Sequence, residues 1–303
     1  MRIIFSVLLI ALYFGVMAQP APVSTYTISQ VPLPAEMNKH VCISGLKYFQ
    51  GKLLFASERC PLIFSADPVT GTIDRKINTE INSAFEVEGL TSFRNKLYLV
   101  SENRVAVYEL DFQTGKTREV TTSIALPPKT KSGDGMEGIA ANEKNGRFYL
   151  MREKNENMTH AEIYSFIIDE TDGSALRLIY DSKIELPLRT SQWRYSDICY
   201  DSRQNRLLCL KSFSKGKTRE QYIETIDIDV KGNLLLASLK ELPVEHFSDV
   251  ANQYKDHHYS MNLEGITIDD KGTIYVVSDN TSGKAACDRP AKEKTILLKL
   301  TKN

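Results

Sequence analysis

Five times along this chain a short apolar segment opens on a Gly-apolar step, usually with a carboxylate before the glycine: Ser44-Gly45-Leu46, Glu88-Gly89-Leu90, Glu137-Gly138-Ile139, Ser196-Asp197-Ile198 and Glu264-Gly265-Ile266. In the fourth, Asp197 stands where the others carry glycine. About a dozen residues later a second apolar segment stops, usually at an acid: Ser57-Glu58, Ser101-Glu102, Arg152-Glu153, Lys211-Ser212 and Ser278-Asp279. A tight hairpin between two such strands returns the end of the second to the start of the first, so both lie on one edge. The repeat therefore collects acids from distant parts of the chain onto one rim.

The second segments, residues 52–57, 96–101, 147–151, 206–210 and 273–278, are apolar or β-branched and bounded by turn residues, as strands are. Third strands are expected at residues 62–66, 105–111, 162–169, 221–229 and 295–300. Outer strands end in a Leu-Pro step at Leu126-Pro127, Leu186-Pro187 and Leu242-Pro243, where a residue without an N–H stops an edge strand. Helical periodicity is nearly absent. Units of about 44 to 68 residues with four strands each predict an all-β chain, a β-propeller of five four-stranded blades, with a degenerate sixth blade as the alternative. The last unit stops after its third strand, while an N-terminal strand over residues 26–31 ends in the same step at Leu33-Pro34. That strand is expected to complete the last blade and close the ring.

Residues 1–18 read as a signal peptide, with Arg2, an apolar run from Ile3 to Met17 and a small-residue cleavage site at Ala18. The run is short for a membrane span, which needs about 20 apolar residues. Residues 19–303 are then a single propeller domain, exported to a periplasmic, secreted or cell-surface location, with no further span and as a monomer. Basic and acidic residues number 38 each, which gives no basis for a polyanion partner such as nucleic acid. Cys42 with Cys60, and Cys199 with Cys209, are placed to face each other across hairpins, either as disulfides or as small buried hydrophobes, and Cys287 has no assigned partner. Long connections at residues 129–136, 189–195, 212–220, 245–262 and 280–294 all fall on the acidic rim, against short turns on the other side. Long loops on a rigid frame are where binding residues concentrate, so the rim is the expected functional face.

In a propeller the first strand of each blade lines the central channel, so Glu88, Glu137 and Glu264 are expected to face one another. Carboxylates that close repel and hold their protons more tightly unless a cation or donor neutralises them. Calcium suits such a set, with Ser44, Ser196 and Asp197 as further oxygen donors, whereas magnesium demands a stricter octahedron. The competing role for the same glutamates is to bond backbone N–H groups of the next blade, and the set can divide between the two roles. Glu58, Glu102, Glu153 and Asp279 lie further out, as ligand-binding residues or as partners of bases such as Arg59, Arg104 and Lys154. His257 and His258, in a rim loop before Glu264, are candidates with Glu137 for acid or base work. Arg189, Trp193 and Arg194, with Lys131, are candidates for holding an anionic or ring-bearing ligand. Gly115-Lys116-Thr117 and Gly216-Lys217-Thr218 lack the earlier glycine of a phosphate-binding loop.

The succession Ile43-Ser44-Gly45-Leu46, Val87-Glu88-Gly89-Leu90, Met136-Glu137-Gly138-Ile139, Tyr195-Ser196-Asp197-Ile198 and Leu263-Glu264-Gly265-Ile266 resembles the SdiA-regulated and phytase-like β-propeller proteins of bacteria. The resemblance spans nearly all of the mature chain. It implies an exported propeller with calcium in or near the channel and, for part of the group, an esterase-like activity of phytase. The chain departs from calcium-dependent phytases in lacking a dense rim of Lys and Arg beside repeated Asp clusters. Three functions are therefore expected of the rim. The first is calcium-stabilised binding of a small molecule or polymer at the acidic channel mouth. The second is metal-dependent hydrolysis of phosphoesters or related esters, with calcium held by Glu88, Glu137 and Glu264 and assistance from His257 or His258. The third is a protein-interaction scaffold that uses the rim loops.

Overall fold

The structure is a computed structural model and describes residues 26–38, 42–80, 85–130, 134–170, 176–254, 257–280, 291 and 293–303. The expected signal segment, Lys131 and Cys287 lie outside the described residues.

The first strand, β1 (Tyr26–Val31), is followed by β2 (Ile43–Phe49), β3 (Lys52–Ser57), β4 (Leu62–Ala66) and β5 (Ile73–Asn78), which form an antiparallel sheet in chain order. The same order recurs in β6 (Val87–Phe93), β7 (Lys96–Ser101), β8 (Ala106–Leu110) and β9 (Thr117–Thr122). It recurs again in β10 (Met136–Asn142), β11 (Arg147–Arg152), β12 (His160–Asp169) and β13 (Arg177–Pro187). A short parallel pairing of β13 with β9 joins these two groups into one eight-stranded sheet. A further sheet holds β14 (Trp193–Asp201), β15 (Arg206–Lys215), β16 (Thr218–Asp227) and β17 (Lys240–Glu241). The last runs β1, β20 (Leu297–Lys302), β19 (Ile274–Ser278), β18 (Leu263–Ile268). The N-terminal strand takes the outer place there, antiparallel to β20 from Tyr26 opposite Lys302 to Val31 opposite Leu297.

Burial explains why the inner strands read as continuous apolar runs and the outer ones do not. Leu53 to Ser57 and Phe148 to Arg152 are buried without interruption, as strands covered on both faces must be. In β13 buried and exposed side chains largely alternate, as expected of a sheet edge with one wet face. Apolar clusters fill the spaces between successive sheets: Leu54 and Ile63 meet Leu90 and Leu99, and Phe93 and Tyr98 meet Phe148 and Leu150. Further round, Tyr149 and Met151 meet Tyr195 and Leu207, Leu208 and Ile223 meet Ile266 and Leu298, and Tyr275 and Val277 meet Leu46 and Phe55.

The innermost strands touch in turn, β2 against β6, β6 against β10, β10 against β14, β14 against β18, and β18 against β2. The glycine of the repeat sits at these contacts. A Cβ on Gly89 would lie 2.9 Å from the Ile139 nitrogen, one on Gly138 2.8 Å from the Ile198 nitrogen, and one on Gly265 2.8 Å from the Leu46 Cβ. Where the fourth repeat replaces glycine, the Asp197 carboxylate does the joining. Its Oδ1 accepts the Ile198 N–H and its Oδ2 the Ile266 N–H, both at 2.8 Å.

Two expectations are corrected. Residues 212–220 are not a rim loop, because β15 and β16 run on as a paired ribbon from Ser212 opposite Gln221 to Lys215 opposite Thr218. Gly216, at φ 59°, supplies the left-handed residue that so tight a turn needs. Neither cysteine pair is bridged: Cys42, Cys199 and Cys209 are thiols, and Cys60 is disulfide-bonded but not to Cys42. Register explains the second pair, since Cys199 stands opposite Leu208 and Cys209 opposite Ile198. A step of one residue along a strand turns the side chain to the other face, and the two thiols belong to different apolar clusters.

The close approach at Gly89 carries a stability prediction. Gly89→Ala is expected to destabilise the protein by about 1–3 kcal/mol through overpacking against the β10 backbone. Thermal melting measures this, and an unchanged midpoint would show that the strands have slack there.

Candidate functional site

The acids reach one place because each first strand is bulged at the same position. Pairing with the second strand skips a residue between Ile43 and Gly45, Val87 and Gly89, Met136 and Gly138, Tyr195 and Asp197, and Leu263 and Gly265. The skipped residues are Ser44, Glu88, Glu137, Ser196 and Glu264. A bulge leaves one residue out of the ladder and re-aims its side chain. The two serines turn to the neighbouring inner strand, where Ser44 Oγ donates to the Val87 carbonyl and Ser196 Oγ to the Leu263 carbonyl at 2.9 Å. The three glutamates turn to the axis.

There they line a cavity of about 340 Å³ together with Glu58, Glu102, Glu153 and Asp279 from the ends of the second strands. Arg59, Lys129, Arg194 and Asn262 complete its wall, so seven carboxyl groups face three cations. The cations are already committed. Arg59 pairs with Glu58 at 2.6 Å, and Lys129 bridges Glu86 and Glu102. Arg194 donates to Glu264, to Glu153 at 3.4 Å and to Asn262 Oδ1 at 2.6 Å. Glu88 and Glu137, both buried, make no ion pair or hydrogen bond with any described residue.

Burial first, and then mutual repulsion, sets the protonation of the group. Glu88 is pushed well above the ordinary carboxyl value by burial and by Glu137, Glu58, Glu102 and Glu264. Glu137 is raised likewise by burial and by Glu153, Glu102 and Glu264, with Arg194 opposing. Burial lifts Glu102 to about 8 despite Lys129, and Glu153 to about 7 despite Arg194 and Lys154. Glu264 is raised less, because Arg194 counters its burial. Burial by itself would favour loss of the Arg194 proton, but Glu264, Glu153 and Glu137 outweigh it and hold the guanidinium charged.

Among the described residues no three His, Cys, Asp or Glu side chains stand in a finished coordination arrangement. The donor set nonetheless has the chemistry of a hard-cation site. Glu102 Oε1 is buried without a hydrogen-bond partner, and Gly135 leaves it room, since a Cβ there would lie 2.4 Å from Glu102 Cγ. Glu88, Glu102 and Glu137 thus carry the carboxyl oxygens of this wall that described cations leave least satisfied.

The remaining expected site residues go elsewhere. Ser196 and Asp197 are spent on inner-strand contacts, as described above. His257 and His258 are exposed and do not line the cavity. Trp193 is buried against Phe213 and Tyr222, with Arg189 stacked on its ring at 5.8 Å, away from the acids. Arg104 lies over the Phe85 ring at 5.5 Å. Lys129 and Asn262 are the cavity residues that sequence reasoning missed. Both stand in rim loops, and their only signal was that position.

The sequence profile of the phytase-like family, described as esterase-like activity of phytase, matches residues 68–281. The chain belongs to the phytase-like family. No curated protein is similar to it in sequence at a significant level. Among solved structures this phytase-like protein is similar to the glutaminyl cyclase of Myxococcus xanthus, at 12% identity and a TM-score of 0.51, over 91% of this chain and 96% of that one. It is also similar to the PQQ-bound aldose sugar dehydrogenase of Streptomyces coelicolor, at 13% identity and a TM-score of 0.46, over 93% and 100% of the two chains. At such identity the likeness is one of propeller-like fold alone. Among the described residues no helix is long and apolar enough to cross a membrane.

The raised carboxyls fix a pH dependence. Folded, Glu102 and Glu153 keep protons that an unfolded chain releases near pH 4.3, so the stability they lend is complete below that value. It is lost as pH rises through about 7 for Glu153 and about 8 for Glu102. In chelator, the melting temperature is therefore expected to fall between pH 5 and pH 8.5, and Glu102→Gln to flatten the fall. A wild-type midpoint that rises over this window contradicts the reading.

Proposed function

We propose that this phytase-like protein is an exported, five-bladed propeller whose ring is closed by β1, and that its acidic mouth holds calcium and binds a small molecule or polymer. The blade count and closure are supported by the cyclic contacts of the inner strands and by the pairing of β1 with β20. Export rests on the signal-like residues 1–18. The observation that carries the binding reading is Glu88 and Glu137, buried beside further carboxylates with no cation of their own. When bound, calcium would supply positive charge at Glu88, Glu102 and Glu137 and remove their mutual repulsion. Arg194 keeps Glu264 and Glu153 oriented around the mouth. Lys129 does the same for Glu102.

A second reading, ester or phosphoester hydrolysis, is favoured by the family description and by Arg59, Lys129 and Arg194 on the same wall. Those three could orient an anionic substrate, and Glu137 is the carboxylate placed to take a proton from water. His257 and His258 are exposed and do not line this cavity, so this reading does not draw on them.

Calcium is expected to raise the melting temperature at pH 8 relative to chelator by several degrees, and Glu137→Gln to remove most of that gain while keeping the fold. Equal midpoints with and without calcium would reject metal binding. The hydrolase reading expects turnover of a phosphoester and carboxylester panel in calcium buffer, abolished by Glu137→Gln. Absence of turnover by the calcium-loaded wild type leaves binding as the function.

A further inference from the structure

The inner strands run from the acidic mouth to a second cavity at their other ends, of about 590 Å³, lined by hairpin residues that include Tyr48, Glu143, Tyr200 and Asp270. Lys47, on β2, faces into it. This side chain is half-buried, and its amine makes no hydrogen bond or ion pair with any described residue. Most lysines at such depth are held by a carboxylate, as Lys211 is by Glu224 at 2.8 Å and Lys154 by Asp134 at 3.3 Å. The other two cations of the cavity differ from it. Arg203 is fixed to the Lys271 carbonyl, and Lys144 stands in the exposed turn between β10 and β11.

Burial pushes the Lys47 ammonium below the ordinary lysine value, and Cys199, Glu143, Asp270 and Asp197 only partly counter it. A desolvated amine that faces an open cavity is the state in which lysine attacks carbonyl carbon.

We propose that Lys47 is a covalent anchoring site for a small aldehyde held in this second cavity. The amine nitrogen forms a bond to the carbonyl carbon, the two amine protons leave with the carbonyl oxygen as water, and an imine remains. Asp270 and Glu143, whose Oε1 also accepts the Arg94 N–H at 2.8 Å, are the carboxylates on the same wall that would carry those protons. Tyr48 and Tyr200 give the cavity aromatic surface that suits an aryl or short alkyl aldehyde. The site is independent of the acidic mouth, at the opposite ends of the same strands.

The test is reductive trapping on the whole protein. Folded wild type is treated at pH 7 with 4-hydroxybenzaldehyde, and in parallel with propanal, in the presence of cyanoborohydride, and every lysine is followed by peptide mass mapping. Lys47 is expected to be modified about tenfold faster than the median lysine, and faster than in the same protein unfolded in urea. Lys47→Arg is expected to abolish that fast phase while the calcium response at the other mouth persists. Labelling of Lys47 at or below the median rate in folded wild type overturns the proposal, as does a fast phase that survives in Lys47→Arg.

Discussion

The structure depends on how closely neighbouring inner strands approach at the Gly-apolar steps. At Gly89, Gly138 and Gly265 the next strand lies where a Cβ would have to sit, against backbone at Gly89 and Gly138 and against Leu46 at Gly265. That approach, and the bulge beside it, are the same device seen from two sides. The bulge lifts one residue out of the ladder and aims it along the axis, and the glycine lets the next strand come near enough for the lifted residues to become neighbours. Asp197 is informative because it solves the same problem with two hydrogen bonds to backbone N–H groups in place of a missing Cβ.

This geometry has an electrostatic consequence. Second-strand ends arrive at the same mouth by hairpin return, so the axis receives carboxylates from both strands of the second, third and fifth units and from the second strand of the first, while Arg59, Lys129 and Arg194 are the described cations on its wall. The protein divides these cations by position. Arg194 and Lys129 each hold two acids, and Glu88 and Glu137 are left to one another. A core-like location with unpaired acids costs stability in the charged form, and a fold keeps such groups when a bound cation or a proton completes them. Ser44, Ser196 and Asp197 join inner strands, while the glutamates face the channel.

Much of this was legible in the chain. Strands at residues 52–57 and 96–101 fall where their apolar runs and turns put them, and Glu58, Glu102, Glu153 and Asp279 line the mouth because hairpin connectivity alone requires it. The bulges were not legible, since one residue out of register leaves no mark in an apolar run that is buried on both faces. Of the rim-loop candidates Arg194 lines the mouth while His257 and Trp193 lie elsewhere, because no periodicity says which way a loop side chain turns. That Cys199 and Cys209 are separate buried thiols, one of the two expected alternatives, follows from register. With Asp201 opposite Arg206 at the hairpin, Cys199 must meet Leu208, and Cys209 points to the other face.

The two ends of the inner strands differ in kind, with an all-polar acidic cavity at one and a larger cavity lined by Tyr48, Tyr200 and the Lys47 amine at the other. The proposed function rests on the acidic end, where carboxylates remote in sequence would form one cation site. Crystals grown with calcium and measured at long wavelength test this most directly. An anomalous peak between the Glu88, Glu102 and Glu137 carboxylates is the predicted result; a mouth without a peak at saturating calcium would contradict it.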